Sequence, residues 1–96
     1  MLEIRPICEH CGKSLANNST EAMICTFECT FCADCVTNVL NNVCPNCGGG
    51  FEKRPTRPIA ELSKYPVSTS NLHKPINPQK FQVLLDKYKN TDPRKR

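Results

Sequence analysis

Apolar residues in this chain come in short, separated clusters, and their spacing changes from one cluster to the next. Ala22-Met23-Ile24-Cys25-Thr26 and Cys29-Thr30-Phe31 read as the two arms of a short β-hairpin turning near Phe27-Glu28. A helix is expected to follow. Val36, Val39, Leu40 and Val43 would share its inner face, with Asp34 in the first turn where a negative charge suits the helix dipole. Ile7, Leu15, Ile24, Phe27 or Phe31, and Phe51 complete a thin core. Near the C-terminus, Asn77 and Pro78 supply an N-cap and a first-turn proline. Phe81, Leu84, Leu85 and Tyr88 then recur at i, i+3, i+4 and i+7. This predicts an amphipathic helix over 78–89, ending near Asn90. So short a helix is marginal alone, so its apolar face is expected to dock back onto the rest of the chain rather than wait for a partner.

The remaining pattern divides the chain in two. All eight cysteines lie between Cys8 and Cys47, and Gly48-Gly49-Gly50 closes that region. From Glu52 onward, prolines at 55, 58, 66, 75 and 78 disfavour helix and sheet and suggest an extended linker. The expected organisation is a cysteine-rich domain over 1–51 and a basic, proline-rich extension over 52–96. A core this thin needs a staple: apolar burial contributes about 25 cal/mol per Å², whereas one structural zinc can contribute on the order of 10 kcal/mol. Met1-Leu2-Glu3-Ile4-Arg5-Pro6 carries no apolar h-region and no stretch is long enough to span a bilayer, so a cytoplasmic location is expected. In that reducing compartment, closely paired cysteines point to metal thiolates rather than disulfides.

The cysteine spacing supports that reading. It runs Cys8-x-x-Cys11, then Cys25-x-x-x-Cys29-x-x-Cys32-x-x-Cys35, then Cys44-x-x-Cys47. A two-residue gap lets both thiolates reach one tetrahedral zinc at about 2.3 Å. Gly12 and Gly48 each follow the second cysteine of a pair, where the turn needs a positive φ. Two zinc ions are the expected cofactors. Cys29-x-x-Cys32-x-x-Cys35 also resembles a ferredoxin run, but the next gap is too long. Cys25-x-x-x-Cys29-x-Phe31-Cys32 matches the cluster motif of radical S-adenosylmethionine enzymes, whose barrel this chain is too short to build. No thioredoxin-like βαβ pattern surrounds any pair to suggest redox use.

Taken in order, the four pairs resemble those of a RING finger, with Cys29 standing where that family usually has histidine. The resemblance implies a cross-brace, with Cys8, Cys11, Cys32 and Cys35 on one zinc and Cys25, Cys29, Cys44 and Cys47 on the other. A zinc ribbon would instead join Cys8, Cys11, Cys44 and Cys47 and leave the middle four together. That rival stays open, although four ligands in one short stretch constrain the backbone more severely. The fold expected is therefore a small metal-stapled α+β domain of RING-like or treble-clef zinc-finger type, with a short hairpin and one helix. An extended tail with a short C-terminal helix follows it. A more specific resemblance rests on Met1-Leu2-Glu3-Ile4-Arg5-Pro6, on residues 24–35 and on Cys44-Pro45-Asn46-Cys47-Gly48-Gly49-Gly50. It is to bacterial domain-of-unknown-function family 1272, and implies a bacterial, cytosolic, cysteine-rich protein without naming an activity.

Charge narrows the functional readings. Residues 1–51 carry two basic and five acidic side chains, and residues 52–96 carry eleven basic and four acidic ones, so an acidic head (−3) precedes a basic tail (+7). Four-thiolate sites leave zinc no open position, so the first expectation is a non-catalytic structural module, an adaptor or regulator that binds another macromolecule, with no small-molecule substrate and no membrane contact. The second is nucleic-acid binding through Lys53, Arg54, Arg57, Arg94, Lys95 and Arg96, opposed by the lack of interleaved aromatic residues. The third is a ubiquitin-ligase-type enzyme. The RING family recruits its conjugating enzyme through an apolar residue in the first knuckle, a bulky one near the helix and a basic one after the last ligand. Here stand Glu9 and His10, no tryptophan, and Gly48, with only Pro45 kept. His10 is expected to be an exposed donor beside the metal rather than a ligand, and His73, Glu28 and Asp34 to be surface residues.

Overall fold

The computed structural model describes residues 1–96. Strands β1 (Ala22–Ile24) and β2 (Thr30–Cys32) form the expected hairpin, antiparallel, with Met23 opposite Phe31. The turn closes at Glu28, whose φ of 64° lets its N–H reach the Cys25 carbonyl at 3.0 Å. Of the two phenylalanine candidates, Phe31 is buried and Phe27 is 70% exposed. Phe31 lies in β2, whose three residues are all buried, while Phe27 rides the turn.

Helix α1 (Ala33–Asn38) follows β2 without a linker and is shorter than the apolar spacing suggests. The Leu40 N–H bonds back to the Cys35 carbonyl at 2.8 Å, and Asn41 and Asn42 then take φ values of 49° and 58°. Asparagine tolerates this left-handed conformation, which turns the chain back toward Cys44. Leu40 and Val43 are still fully buried, but from the loop, and Val39 is left at the surface. Ile7 and Ile24 are only half-buried, and Ile4 takes a core place that no local pattern marked.

The expected boundary after Phe51 falls inside the sheet. Glu52–Lys53 form strand β3 on the free edge of β1, giving the order β2-β1-β3, and Phe51 meets Phe31 edge to face at 5.5 Å. The next residue, Arg54, is buried. Its Nη1 donates to the Arg5 carbonyl at 2.8 Å, and its Nη2 to those of Leu15 and Ala16 at 3.1 and 2.7 Å. One guanidinium thus ties the sheet edge to the N-terminal segment. A buried cation with its donors turned on backbone carbonyls cannot meet a polyanion, which corrects the expectation for Arg54.

Beyond Arg54 the tail wraps the head instead of trailing from it. Asn17 pairs with the Arg57 backbone through both side-chain atoms, and the Arg57 guanidinium reaches the carbonyls of Leu2 and Tyr65. Ser68 bonds the Ile4 carbonyl and the Glu3 carboxylate, at 2.8 and 2.7 Å. Helix α2 (Pro78–Tyr88) starts as expected: the Asn77 side chain accepts from the N–H groups of Gln79 and Lys80. Phe81 is buried in the core cluster, and Leu84, Leu85 and Tyr88 pack against it. The helix docks on the head, as its marginal length suggested. Past the helix, Arg96 donates to the carbonyls of Asn42 and Gly48.

Candidate metal centres

Two cysteine clusters form where the hairpin, α1 and the flanking loops converge. The Sγ atoms of Cys8, Cys11, Cys32 and Cys35 all lie within 4.8 Å of one another. Cys8 and Cys11 come from the N-terminal turn, which an isolated bridge between Ile7 and Ser14 closes; Cys32 ends β2 and Cys35 lies in the first turn of α1. Ligands at about 2.3 Å in a tetrahedron stand about 3.8 Å apart, and the Cys11 and Cys32 sulfurs are separated by 3.7 Å. Four thiols within 4.8 Å of one another could hold one metal ion.

The second cluster brings Cys25, Cys44 and Cys47 within the same mutual distance. Cys29 is not within that distance of all three; its sulfur accepts from the Asn46 side-chain amide at 3.3 Å, in the loop between Cys44 and Cys47. Cys25 and Cys29 flank the hairpin turn, and Cys44 and Cys47 belong to the loop after α1. The clusters therefore interleave along the chain, first and third pairs in one, second and fourth in the other. Cys8 and Cys11 thus lie with Cys32 and Cys35 rather than with Cys44 and Cys47.

Backbone geometry adds donors to the sulfurs. The N–H groups of Asn46 and Gly49 donate to the sulfurs of Cys44 and Cys47, each at 3.4 Å. Gly12 and Gly48 take φ of 78° and 79°, the left-handed turns that the glycines after each knuckle implied. Such donors stabilise thiolates. In the second cluster, hydrogen bonds from Cys44, Asn46 and Cys25 bring the Cys29 thiol down to about 5 despite its burial. Burial pushes Cys25 up to about 11, and the bond to Cys29 together with burial pushes Cys44 higher still. Burial likewise raises Cys35 in the first cluster. A cation among these sulfurs would replace the shared protons.

The residues around the ligands are engaged in unexpected ways. Glu9 is buried inside the first knuckle, where it accepts from the Thr30 N–H at 2.7 Å and from Arg5 Nη1 at 3.0 Å; burial raises its carboxyl pKa. The His10 ring accepts from the Ile76 N–H at 3.1 Å, and its carbonyl meets His73 Nε2 at 3.0 Å. Both histidines therefore fasten the tail over the first knuckle; His73, though exposed, is not idle. Glu28 accepts from the Glu3 N–H through its side chain, while Asp34 is exposed. Of the six basic residues weighed as polyanion contacts, Lys53, Arg94 and Lys95 are exposed, whereas Arg54, Arg57 and Arg96 are held by backbone carbonyls. Most partners of these three arginines, among them Leu2, Arg5, Leu15, Asn42 and Gly48, lie 38 or more residues away along the chain, where no local signal could reveal the contacts. No helix is long and apolar enough to cross a membrane.

Comparison with known proteins agrees with the sequence resemblance. A protein from Rhizobium meliloti (strain 1021), described as uncharacterized, is 55% identical over 75 residues, which cover 78% of this chain and 89% of that protein. No solved structure matches. The family model described as "Protein of unknown function (DUF1272)" matches residues 1–57, a span that holds every cysteine and all three strands and is more than half of the chain, and the protein belongs to that family.

Proposed function

We propose that the protein is a non-catalytic structural zinc module of RING-like, treble-clef type that works in the cytoplasm as an adaptor or regulator by binding another macromolecule. The observation that carries this reading is the interleaved grouping of the thiols, Cys8, Cys11, Cys32 and Cys35 in one set and Cys25, Cys44 and Cys47 in the other, with the sulfurs of each set within 4.8 Å of one another. An all-sulfur donor set of this geometry suits zinc, and four thiolates leave the ion no position for water or substrate. Its role is then to hold the chain's shape, because two ions cross-linking the hairpin, α1 and both flanking loops supply what a thin core does not. The function passes to the surface so stabilised.

Nucleic-acid binding is the weaker reading, since half of its proposed contacts are committed to the fold. A ligase role is weaker again: the first knuckle holds Glu9, turned inward to Arg5 and Thr30, where the RING family presents an apolar side chain. Native mass spectrometry of the protein purified from its own host under reducing conditions tests the proposal. Two zinc ions per chain with a co-purifying protein are expected; iron with sulfide, or a metal-free chain, would overturn it.

A further inference from the structure

Of the eight cysteines, Cys11 alone is exposed; six are buried and Cys47 is half-buried. The local turn accounts for this. The Cys8 N–H donates to the Lys13 carbonyl at 2.9 Å and the Gly12 N–H to the Cys8 carbonyl at 3.0 Å, which folds the first knuckle into a tight loop. Cys8 is fully buried at its base, and Cys11 is left at the surface. The Cys11 sulfur stands 3.7 Å from that of Cys32, in the same cluster of four. The knuckle also anchors the tail. The Lys74 N–H donates to the Glu9 carbonyl at 2.7 Å and the Ile76 N–H to His10 Nδ1 at 3.1 Å, while His73 Nε2 meets the His10 carbonyl at 3.0 Å. Each contact falls on a residue between Cys8 and Cys11, so the strap over 73–76 is tied to the stretch that these two ligands hold in place.

We propose that Cys11 is an oxidation site through which a hydroperoxide releases the first zinc and unfastens the 73–76 strap. This adds a regulation to the zinc-module reading and rests on it. A cysteine that ligates a metal is a thiolate, so the nucleophile is present at the surface without a separate base. The Cys11 thiolate attacks the terminal oxygen of the hydroperoxide. A sulfur–oxygen bond forms, the oxygen–oxygen bond breaks, and the departing alkoxide takes a proton to become an alcohol. The Cys32 thiolate, already adjacent, then attacks the sulfenic sulfur of Cys11. The disulfide forms and hydroxide leaves as water with a second proton. Two thiolates have given up two electrons, and the hydroperoxide has accepted them. Cys8 and Cys35 remain as thiolates, too few to keep a structural zinc. The second cluster has no exposed cysteine and should keep its ion. In a reducing compartment such a disulfide is transient, which suits a signal rather than a staple.

The test treats the full-length, zinc-loaded chain with hydrogen peroxide, for which the alcohol formed is water. A chromogenic chelator reads released zinc, mass spectrometry of alkylated peptides reads which cysteines are oxidised, and hydrogen exchange reads the Lys74 and Ile76 amides. Expected is loss of one zinc about tenfold faster than the second, with Cys11 joined to Cys32. Protection of the Lys74 and Ile76 amides should fall in step with that loss, and a dithiol with added zinc should restore it. Release of both ions together, Cys11 left reduced or joined elsewhere, unchanged protection at Lys74 and Ile76, or zinc that peroxide does not release would each overturn the oxidation site. Any of these in a chain that began with two zinc ions sinks the oxidation site alone. A wild-type chain that never holds two sinks the module reading, and the oxidation site with it.

Discussion

Tyr88, at the end of α2, lies directly against Gly48 in the last cysteine knuckle: a β-carbon on Gly48 would stand 2.7 Å from the tyrosine ring. Gly48 also holds φ at 79°. The position is thus restricted twice, by the turn that carries Cys47 and by the helix packed over it. Gly48→Ala should destabilise the metal-loaded chain by about 2 kcal/mol, combining left-handed strain with displacement of Tyr88. Urea unfolding of the two proteins, matched for metal content, measures this. Gly49→Ala, where an added β-carbon would meet only the Cys47 sulfur at 3.4 Å, should cost less.

Helix α2 is held chiefly by Phe81, its one buried residue. Phe81→Ala should cost about 3 kcal/mol at this contact, more than an isolated helix of this length can sustain, so the helix should detach and melt. Limited proteolysis is the appropriate measurement. Cleavage should rise within 62–90 while the cysteine-rich head, residues 1–54, remains intact. Val83→Ala, on the exposed face of the same helix, is the control and should leave the digestion pattern unchanged.

Arg54 serves the fold. Replacing it with methionine leaves the carbonyls of Arg5, Leu15 and Ala16 without their donors, and should destabilise by about 3 kcal/mol. Lysine has one ammonium where the guanidinium reaches three acceptors, so Arg54→Lys should recover only part of the loss. Denaturation midpoints of the wild type and the two variants decide this. Lys53→Ala, one residue earlier and exposed, should change stability little.

How much of this was legible in the sequence depends on whether the signal was local. Asn77-Pro78 and the 3.6-residue spacing after them marked α2 nearly to the residue, because capping and amphipathicity are encoded within one segment. The glycines after Cys11 and Cys47 announced their left-handed turns for the same reason. Helix α1 ends at Asn38, yet Leu40 and Val43 continue its apolar spacing from the loop that the left-handed Asn41 and Asn42 turn back, so the pattern alone suggests a longer helix. Arg54 and Ile4 escaped notice because their partners are distant: a basic residue after a strand reads as surface until the three carbonyls that surround it are placed. The proline-rich tail reads as a linker, yet hydrogen bonds at Ser68, Lys74 and Ile76 fasten it along the head.

Glu3 links the N-terminal segment to that tail and gives the contact a pH dependence. Its hydrogen bond from Ser68, with that from Arg5, holds its carboxyl pKa below the ordinary range. A carboxylate lowered in the folded state stabilises fully above its unfolded pKa of about 4.3, and the contribution is lost as pH falls through the lower folded value. The stability difference between wild type and Glu3→Gln should therefore be constant from neutral pH down to about pH 5 and shrink below it. Unfolding curves for both proteins across that range measure it, and acid release of metal, common to both, cancels in the comparison.

The measurement that tests the central claim most directly is heteronuclear NMR on the protein loaded with an NMR-active cadmium isotope, which correlates each metal with the β-protons of the cysteines bound to it. The expected result is two cadmium signals, one coupled to Cys8, Cys11, Cys32 and Cys35 and the other to Cys25, Cys29, Cys44 and Cys47. A signal coupled to Cys8, Cys11, Cys44 and Cys47 together, or a single bound metal per chain, would contradict it.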